Sequence, residues 1–218
     1  MRSTTTGHFE ILTKRQQVLL SDLELLKQDG FYLAGGTGLA LQLGHRSSVD
    51  FDYYSAAPLD GTRILVRFRE AVRDVKVVQM EQDTLILRCE GVIVSLFAYP
   101  YPLLRPLIDM GAVLVASLED IAAMKLVAII QRGTRRDFID IYHLIRNLGL
   151  ETILSLSARK YSEFDSYAAL QALAYFDDAE KETAARRRLQ MATRADWKAM
   201  KKYIIAQIKR RRMTLTPK

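Results

Sequence analysis

Apolar and polar positions along the chain change rhythm several times, and each change predicts an element. Phe9, Leu12, Leu19, Leu23 and Leu26 recur at steps of three, four or seven, the spacing of an amphipathic helix over residues 9–28 that Gly30 would stop. The apolar run 31–34 predicts a short strand, residues 37–43 a helix, and the period-two alternation of 49–54 a second strand. Turn residues around 58–61 lead into a helix near 62–72. Three further strands, at 75–80, 84–88 and 92–98, are separated by Glu81-Gln82-Asp83 and Glu90-Gly91, which predicts an antiparallel meander. After a loop containing Pro100, Pro102 and Pro106, Ser117 followed by Glu119 and Asp120 has the form of a helix start, a capping hydroxyl with acids in the first turn. Helices are expected at 118–131 and 134–147, broken at Gly133, and then at 151–160, 166–176, 178–189 and 194–212. This order implies an α+β domain over residues 1–116 and a helical domain over 117–218.

Composition narrows the class without naming an activity. The 218 residues are 49% hydrophobic and 26% charged, ordinary for a folded globular chain. No apolar run reaches membrane-spanning length and the N-terminus lacks the apolar core of a signal peptide, so a cytoplasmic protein with no membrane partner is expected. Cys89, the single cysteine, sits in an alternating apolar run and reads as a packing residue. The formal net charge of +7 is unevenly spread: residues 181–218 hold thirteen Lys and Arg against Glu182 and Asp196. That segment suits a phosphate backbone, by counterion release, or equally the solvated face of a helix.

The chemistry concentrates in "LAGGTGLALQLGHRSSVDFDYYS", residues 33–55. Asp50 and Asp52 are two apart on an expected strand, so both carboxylates leave one face while Phe51 and Tyr53 leave the other. Two carboxylates so close repel unless a cation or proton lies between them, and hard oxygen ligands of this kind suit Mg²⁺ or Mn²⁺. Alone, such a pair is more often solvated surface. Gly35 and Gly36, between strand and helix, let a ligand approach the backbone, and the first amides of that helix with the Thr37 hydroxyl offer an anion site. Together these features describe a site for a metal-bound nucleoside triphosphate. Arg46, permanently charged and able to form paired hydrogen bonds, is the better phosphate candidate beside His45.

This stretch resembles the DNA polymerase β-like nucleotidyltransferases, which carry a Gly-Gly or Gly-Ser turn followed after about a dozen residues by Asp-x-Asp. It is closer still to their AbiEii/AbiGii toxin-like group, through Gly44-His45-Arg46 and Ser48 ahead of the Asp pair. A second block, "SLEDIAAMKLVAIIQRGTRRDFIDIYHL" over residues 117–144, is similar to the same group's lysine-bearing helix and its Arg-Asp-x-x-Asp helix. The resemblance covers about residues 30–148. It implies a nucleotidyltransferase-type mixed sheet with flanking helices, followed by a helical domain. Transfer of a nucleoside monophosphate from an NTP to an acceptor hydroxyl, and an antitoxin partner, are also implied.

Several residues take roles from that resemblance. Asp50 and Asp52 would hold Mg²⁺ or Mn²⁺, while Gly35, Gly36, Thr37, Arg46, Ser48 and Arg136 would meet phosphate. Lys125 lies in the apolar stripe of its helix, where it reads either as a snorkelling core lysine or as a phosphate ligand. Asp137 and Asp140, three apart in the next helix, read as first-turn acids or, by resemblance, as active-site groups with a neighbouring arginine. The basic segment 181–218 makes RNA, such as the acceptor end of a tRNA, the expected acceptor. One position departs from the family pattern: aligning "GVIVSLFAYP" with the strand that normally supplies a third carboxylate places Ser95 there. Serine neither binds Mg²⁺ well nor acts as a base, so the alternative is a weakened nucleotide- or RNA-binding protein on the same fold.

Overall fold

The computed structural model describes residues 7–182 and 196–215, with side chains to residue 211. The chain divides into two compact units between Ser117 and Leu118.

The first unit opens with a single 3-10 turn, Phe9–Ile11, then α1 (Lys14–Asp22) and α2 (Leu25–Gln28). The amphipathic period is therefore carried by three short pieces where one helix is expected from the sequence. Thr13 explains the first break: its hydroxyl accepts from the Gln16 amide while the Gln16 side chain accepts from the Thr13 amide, a capping box that starts a new helix. Leu19, Leu20, Leu23 and Leu26 still reach one core.

β1 (Tyr32–Leu33) runs into α3 (Gly35–Leu43), followed by β2 (Asp50–Ser55) and α4 (Gly61–Ala71). The meander forms as expected, with β3 (Val75–Glu81), β4 (Thr84–Cys89) and β5 (Val92–Ala98). β6 (Ile108–Asp109) and β7 (Leu114–Val115) are two-residue strands, too short for a periodicity to betray them, inside the region expected as loop. The seven strands form one sheet in the order β3-β4-β5-β2-β1-β7-β6. β2 pairs β5 in parallel and β1 pairs β7 in parallel, the other pairings being antiparallel, so the sheet is mixed.

One face of this sheet is a core. Phe51 and Tyr53 of β2, Leu85, Leu87 and Cys89 of β4, and Val94 and Leu96 of β5 belong to one buried cluster with Leu19, Leu23 and Leu26, and with Ile64 and Phe68 of α4. Each such side chain stabilises the fold by about 1.5–3 kcal/mol relative to exposure. Burial pushes the Cys89 thiol up to about 12, with the charges of Asp74 and Glu90 adding to the effect, which suits packing rather than nucleophilic chemistry. The opposite face carries the alternate residues, Asp50, Asp52 and Tyr54 on β2, half-buried.

The second unit is helical: α5 (Leu118–Gln131), α6 (Arg135–Leu148), α7 (Leu150–Lys160), α8 (Ser166–Ala174), α9 (Asp177–Lys181) and α10 (Trp197–Leu215). α5 matches its expected bounds, and α6 starts after Thr134, whose hydroxyl accepts from the Asp137 amide. The expected helix 178–189 is seen only through Lys181, since residues 183–195 lie outside the described residues. No helix among the described residues is long and apolar enough to cross a membrane.

Candidate active site

The register around β2 sets the site. Asp52 pairs with Ser95 and Asp50 with Ile93 across the parallel β2/β5 ladder, so Ser95 stands beside Asp52 on the same face. Ser95 in turn pairs with Ile86 of β4, and the β4/β5 register is unbroken. Asp83 and Glu90 sit in the turns at either end of β4, outside the register positions that pair across to Ser95 and Asp52. Among the described residues no three His, Cys, Asp or Glu side chains gather as a metal-binding group. What the sheet offers is a pair of carboxylates next to a serine.

The glycine turn packs directly on that pair. The Ala34 amide donates to the Asp52 carbonyl at 3.0 Å, continuing β1 alongside β2, and Gly35 then turns with φ +60° into α3. A Cβ on Gly35 would stand 2.8 Å from Asp52 Oδ2, and the left-handed φ would strain any L side chain. A Cβ on Gly36 would meet the guanidinium of Arg46. Ala34, the N-cap, makes no side-chain cap hydrogen bond to the amides in the first turn of α3. These amides with the positive helix end favour an anion. Arg46 itself is only 2% exposed, with Nη1 donating to the Ser47 carbonyl at 2.9 Å. It lies behind the turn as a fixed positive charge.

Thr37 and Ser48, expected among the phosphate contacts, turn inward. Their hydroxyl oxygens are 2.6 Å apart, Thr37 also donates to the Asp50 carbonyl, and both residues are buried. Buried hydroxyls need such partners, and here they tie the start of α3 to the start of β2. Gln16 of α1 adds a third tie, its Nε2 donating to the Ser48 carbonyl at 2.9 Å. The Thr13-x-x-Gln16 spacing marks this glutamine as a capping residue, but only the fold shows its second role.

In the helical unit, Lys125, Asp137 and Asp140 come together as a group, though mainly for one another. Lys125 Nζ lies 3.0 Å from Asp137 Oδ1 and 2.8 Å from Asp140 Oδ2, and all three are buried. Asp137 further accepts from Arg132 Nε at 3.1 Å and from the Thr134 hydroxyl at 2.6 Å. The Lys125 ammonium bridges two buried carboxylates, an arrangement that the sequence does not predict. Arg136, on the same turn of α6, is half-buried. A second buried pair, Lys160 Nζ to Asp120 Oδ1 at 2.8 Å, has no motif in the sequence. Its trace there is a lysine in register with Leu150, Ile153 and Leu154 and the buried Ser157 on α7.

Burial alone would raise the Asp137 pKa, but Lys125, then Arg132 and Thr134, outweigh it and hold it at about 2, against an ordinary 3.8. A depressed carboxylate contributes stability above its unfolded pKa and loses it as pH falls through the folded value. The contribution, about 2 kcal/mol, should be lost progressively between roughly pH 5 and pH 1. Urea unfolding followed by fluorescence of Trp197, the only tryptophan and packed against Phe138 and Phe176, should show this extra loss in the wild type. Equal acid sensitivity in Asp137→Asn would contradict it.

A mixed sheet with paired carboxylates on the half-buried face of a central strand, abutting a glycine turn that opens a helix, defines the nucleotidyltransferase class of fold. The profile of the nucleotidyl transferase AbiEii toxin family, of type IV toxin–antitoxin systems, matches residues 96–211, just over half of the chain, and the chain belongs to that family. The match begins on β5 and takes in the helical unit, so the glycine turn and the Asp pair rest on their geometry. An uncharacterized protein of Aquifex aeolicus (strain VF5) is 40% identical over 159 residues, 70% of this chain and 76% of that protein. Similar solved folds include MenT4, a nucleotidyltransferase toxin of Mycobacterium tuberculosis H37Rv (TM-score 0.54, 17% identity, 88% of this chain and 80% of that one). JHP933 from Helicobacter pylori is similar too (TM-score 0.56, 17% identity, 94% and 97%), as is the antibiotic-resistance factor ANT(2'')-Ia (TM-score 0.50, 17% identity, 73% and 97%). The chain is thus a toxin-like nucleotidyltransferase.

Proposed function

We propose that the protein is a cytoplasmic, metal-dependent enzyme that transfers a nucleoside monophosphate from an NTP to a hydroxyl of RNA, with a cognate antitoxin as its regulator. The observation that carries the reading is the contact of Gly35 with Asp52, which puts an anion-binding helix end against a pair of carboxylates. The donor set fits Mg²⁺ or Mn²⁺, which is commonly held by one or two carboxylates and completed by water and substrate phosphates. Bound there, the metal supplies charge neutralisation at the reacting phosphate.

The chain's own residues do the rest. The α3 amides at Gly35, Gly36 and Thr37 hold the triphosphate oxygens, and the buried Arg46 charge strengthens that field. Thr37, Ser48 and Gln16 position the cradle against β2. The acceptor hydroxyl oxygen then attacks the α-phosphorus, forming one P–O bond while the bond to the bridging oxygen breaks and pyrophosphate leaves with the electron pair. Ser95 takes no proton in this scheme, so the hydroxyl proton passes to solvent. Lys125, Asp137 and Asp140 hold the helical unit together.

RNA as the acceptor is supported by α10. Met200, Ile204 and Ile208 bury one side of it, and Lys198, Lys202, Lys209 and Arg210 are exposed on the other. Lys201 and Arg211 pair with Glu180 and Glu151 and are less available. Because α10 is packed, deleting it would test folding more than binding. Replacing the four exposed cations by Gln should weaken RNA binding and flatten its salt dependence, the slope falling by about 0.7 for each single-strand phosphate no longer neutralised. The overall reading is tested by pyrophosphate release, expected only when NTP, divalent metal and RNA are all present.

The position of Ser95 beside Asp52 favours a second reading, a protein that binds nucleotide and transfers slowly or not at all. Ser95→Asp tests whether the missing carboxylate is what limits transfer. A base at this position contributes on the order of 10²–10⁴-fold, so the variant should transfer at least about tenfold faster than wild type. Inactivity of both proteins with intact NTP binding would support the second reading.

A further inference from the structure

The face of the sheet that carries Asp50 and Asp52 does not end with them. One strand repeat beyond Asp52 and Ser95, about 7 Å along the strands, stand Tyr54 and Phe97, paired across β2 and β5 as Asp52 and Ser95 are. Their rings are stacked at 5.2 Å and 29°. Tyr99 meets Tyr54 edge-on at 5.2 Å, and Tyr101 continues from Tyr99 at 4.8 Å. Tyr54, Phe97 and Tyr99 are half-buried, and Tyr101 is 42% exposed. Tyr54 also stacks at 6.2 Å and 27° on Tyr32 of β1, which is buried, so the row runs from a packed ring out to one in solvent.

Sheet order says what they face. The glycine cradle extends from β1, on one flank of β2, whereas Ser95, Phe97 and the chain leading to Tyr99 and Tyr101 belong to β5, on the other. In-line displacement puts the attacking oxygen opposite the leaving pyrophosphate. With pyrophosphate on the β1 flank, the acceptor enters over β5, and the group next to its reacting hydroxyl meets the rings. We propose that Tyr54, Phe97, Tyr99 and Tyr101 form a shelf on which the base of the acceptor's terminal nucleotide stacks. This rests on the proposed transfer reaction and narrows its acceptor to one with a flat base at the reacting end, in contrast to a sugar or protein hydroxyl. Base-on-aromatic stacking is tolerant of sequence, so the shelf selects an unpaired end without selecting a base.

The test uses binding as well as catalysis, so that it survives a failure of transfer. A single-stranded ten-nucleotide RNA ending in 2-aminopurine should lose fluorescence on binding the full-length protein, and the same oligomer with an abasic 3′ end should bind about five- to a hundredfold more weakly. Tyr101→Ala, at an exposed position, should abolish the quenching and that difference, Tyr101→Trp should restore both, and NTP affinity should not move. If transfer is active, Tyr101→Ala should raise the KM for RNA with kcat little changed. Equal binding of the base-bearing and abasic oligomers, or a loss of NTP affinity in Tyr101→Ala, would overturn the assignment, the latter by giving the shelf to the donor base. Base-dependent binding without any transfer would sustain the shelf and sink the transfer reaction.

Discussion

Asp52→Asn should lower nucleotidyl transfer by at least about 10³-fold while leaving the circular dichroism spectrum and unfolding midpoint close to wild type. The substitution is isosteric and lies on the half-buried face of β2, opposite the core residues Phe51 and Tyr53. It removes one of the two charges able to hold the metal, and it alters the group against which Gly35 is packed. Asp50→Asn should act in the same direction. Activity above a tenth of wild type in both variants would mean that the metal-binding carboxylates lie elsewhere.

Lys125→Met carries the largest expected effect on stability. The ammonium sits between two carboxylates that are 1% and 0% exposed, and removing it leaves their charges facing each other in a low-dielectric interior. Breaking a buried ion pair in this way costs about 3–5 kcal/mol, a large share of the stability of a small domain. Trp197 fluorescence should report the loss, since Phe138 of the same helix as Asp137 and Asp140 packs on that ring. The triple variant Lys125→Met, Asp137→Asn, Asp140→Asn should recover part of it, because the buried charges leave together. A loss under about 1 kcal/mol in the single variant, joined to weaker NTP binding, would return Lys125 to the phosphate.

Much of the fold can be read from the pattern of apolar positions, because the strands that matter are long enough to alternate and the helices long enough to show their period. β2 displays Asp50 and Asp52 on one side and Phe51 and Tyr53 on the other as the alternation requires, and α5 begins and ends where Ser117 and Gly133 suggest. β6 and β7 stayed hidden, since two residues carry no period. At the site, the glycines and the Asp pair were legible from residue type and spacing. The inward turn of Thr37 and Ser48 was not, because a hydroxyl's partner is set by what folds against it, here the Asp50 carbonyl and another hydroxyl. The same holds for Lys125: an apolar stripe shows that a lysine is buried, and only the approach of α6 to α5 shows that two carboxylates await it. Ser95 was legible because register in a sheet is all-or-none, and the ladder does pair it with Asp52.

Nucleotidyl transfer itself is tested most directly by single-turnover transfer of label from each of the four α-labelled NTPs to RNA by the wild-type protein, with Mg²⁺ or Mn²⁺ and with EDTA. Covalent labelling of RNA by at least one nucleotide is expected, dependent on divalent metal and absent in Asp52→Asn. Tight binding of all four nucleotides without labelling, or labelling that persists in EDTA, would contradict it.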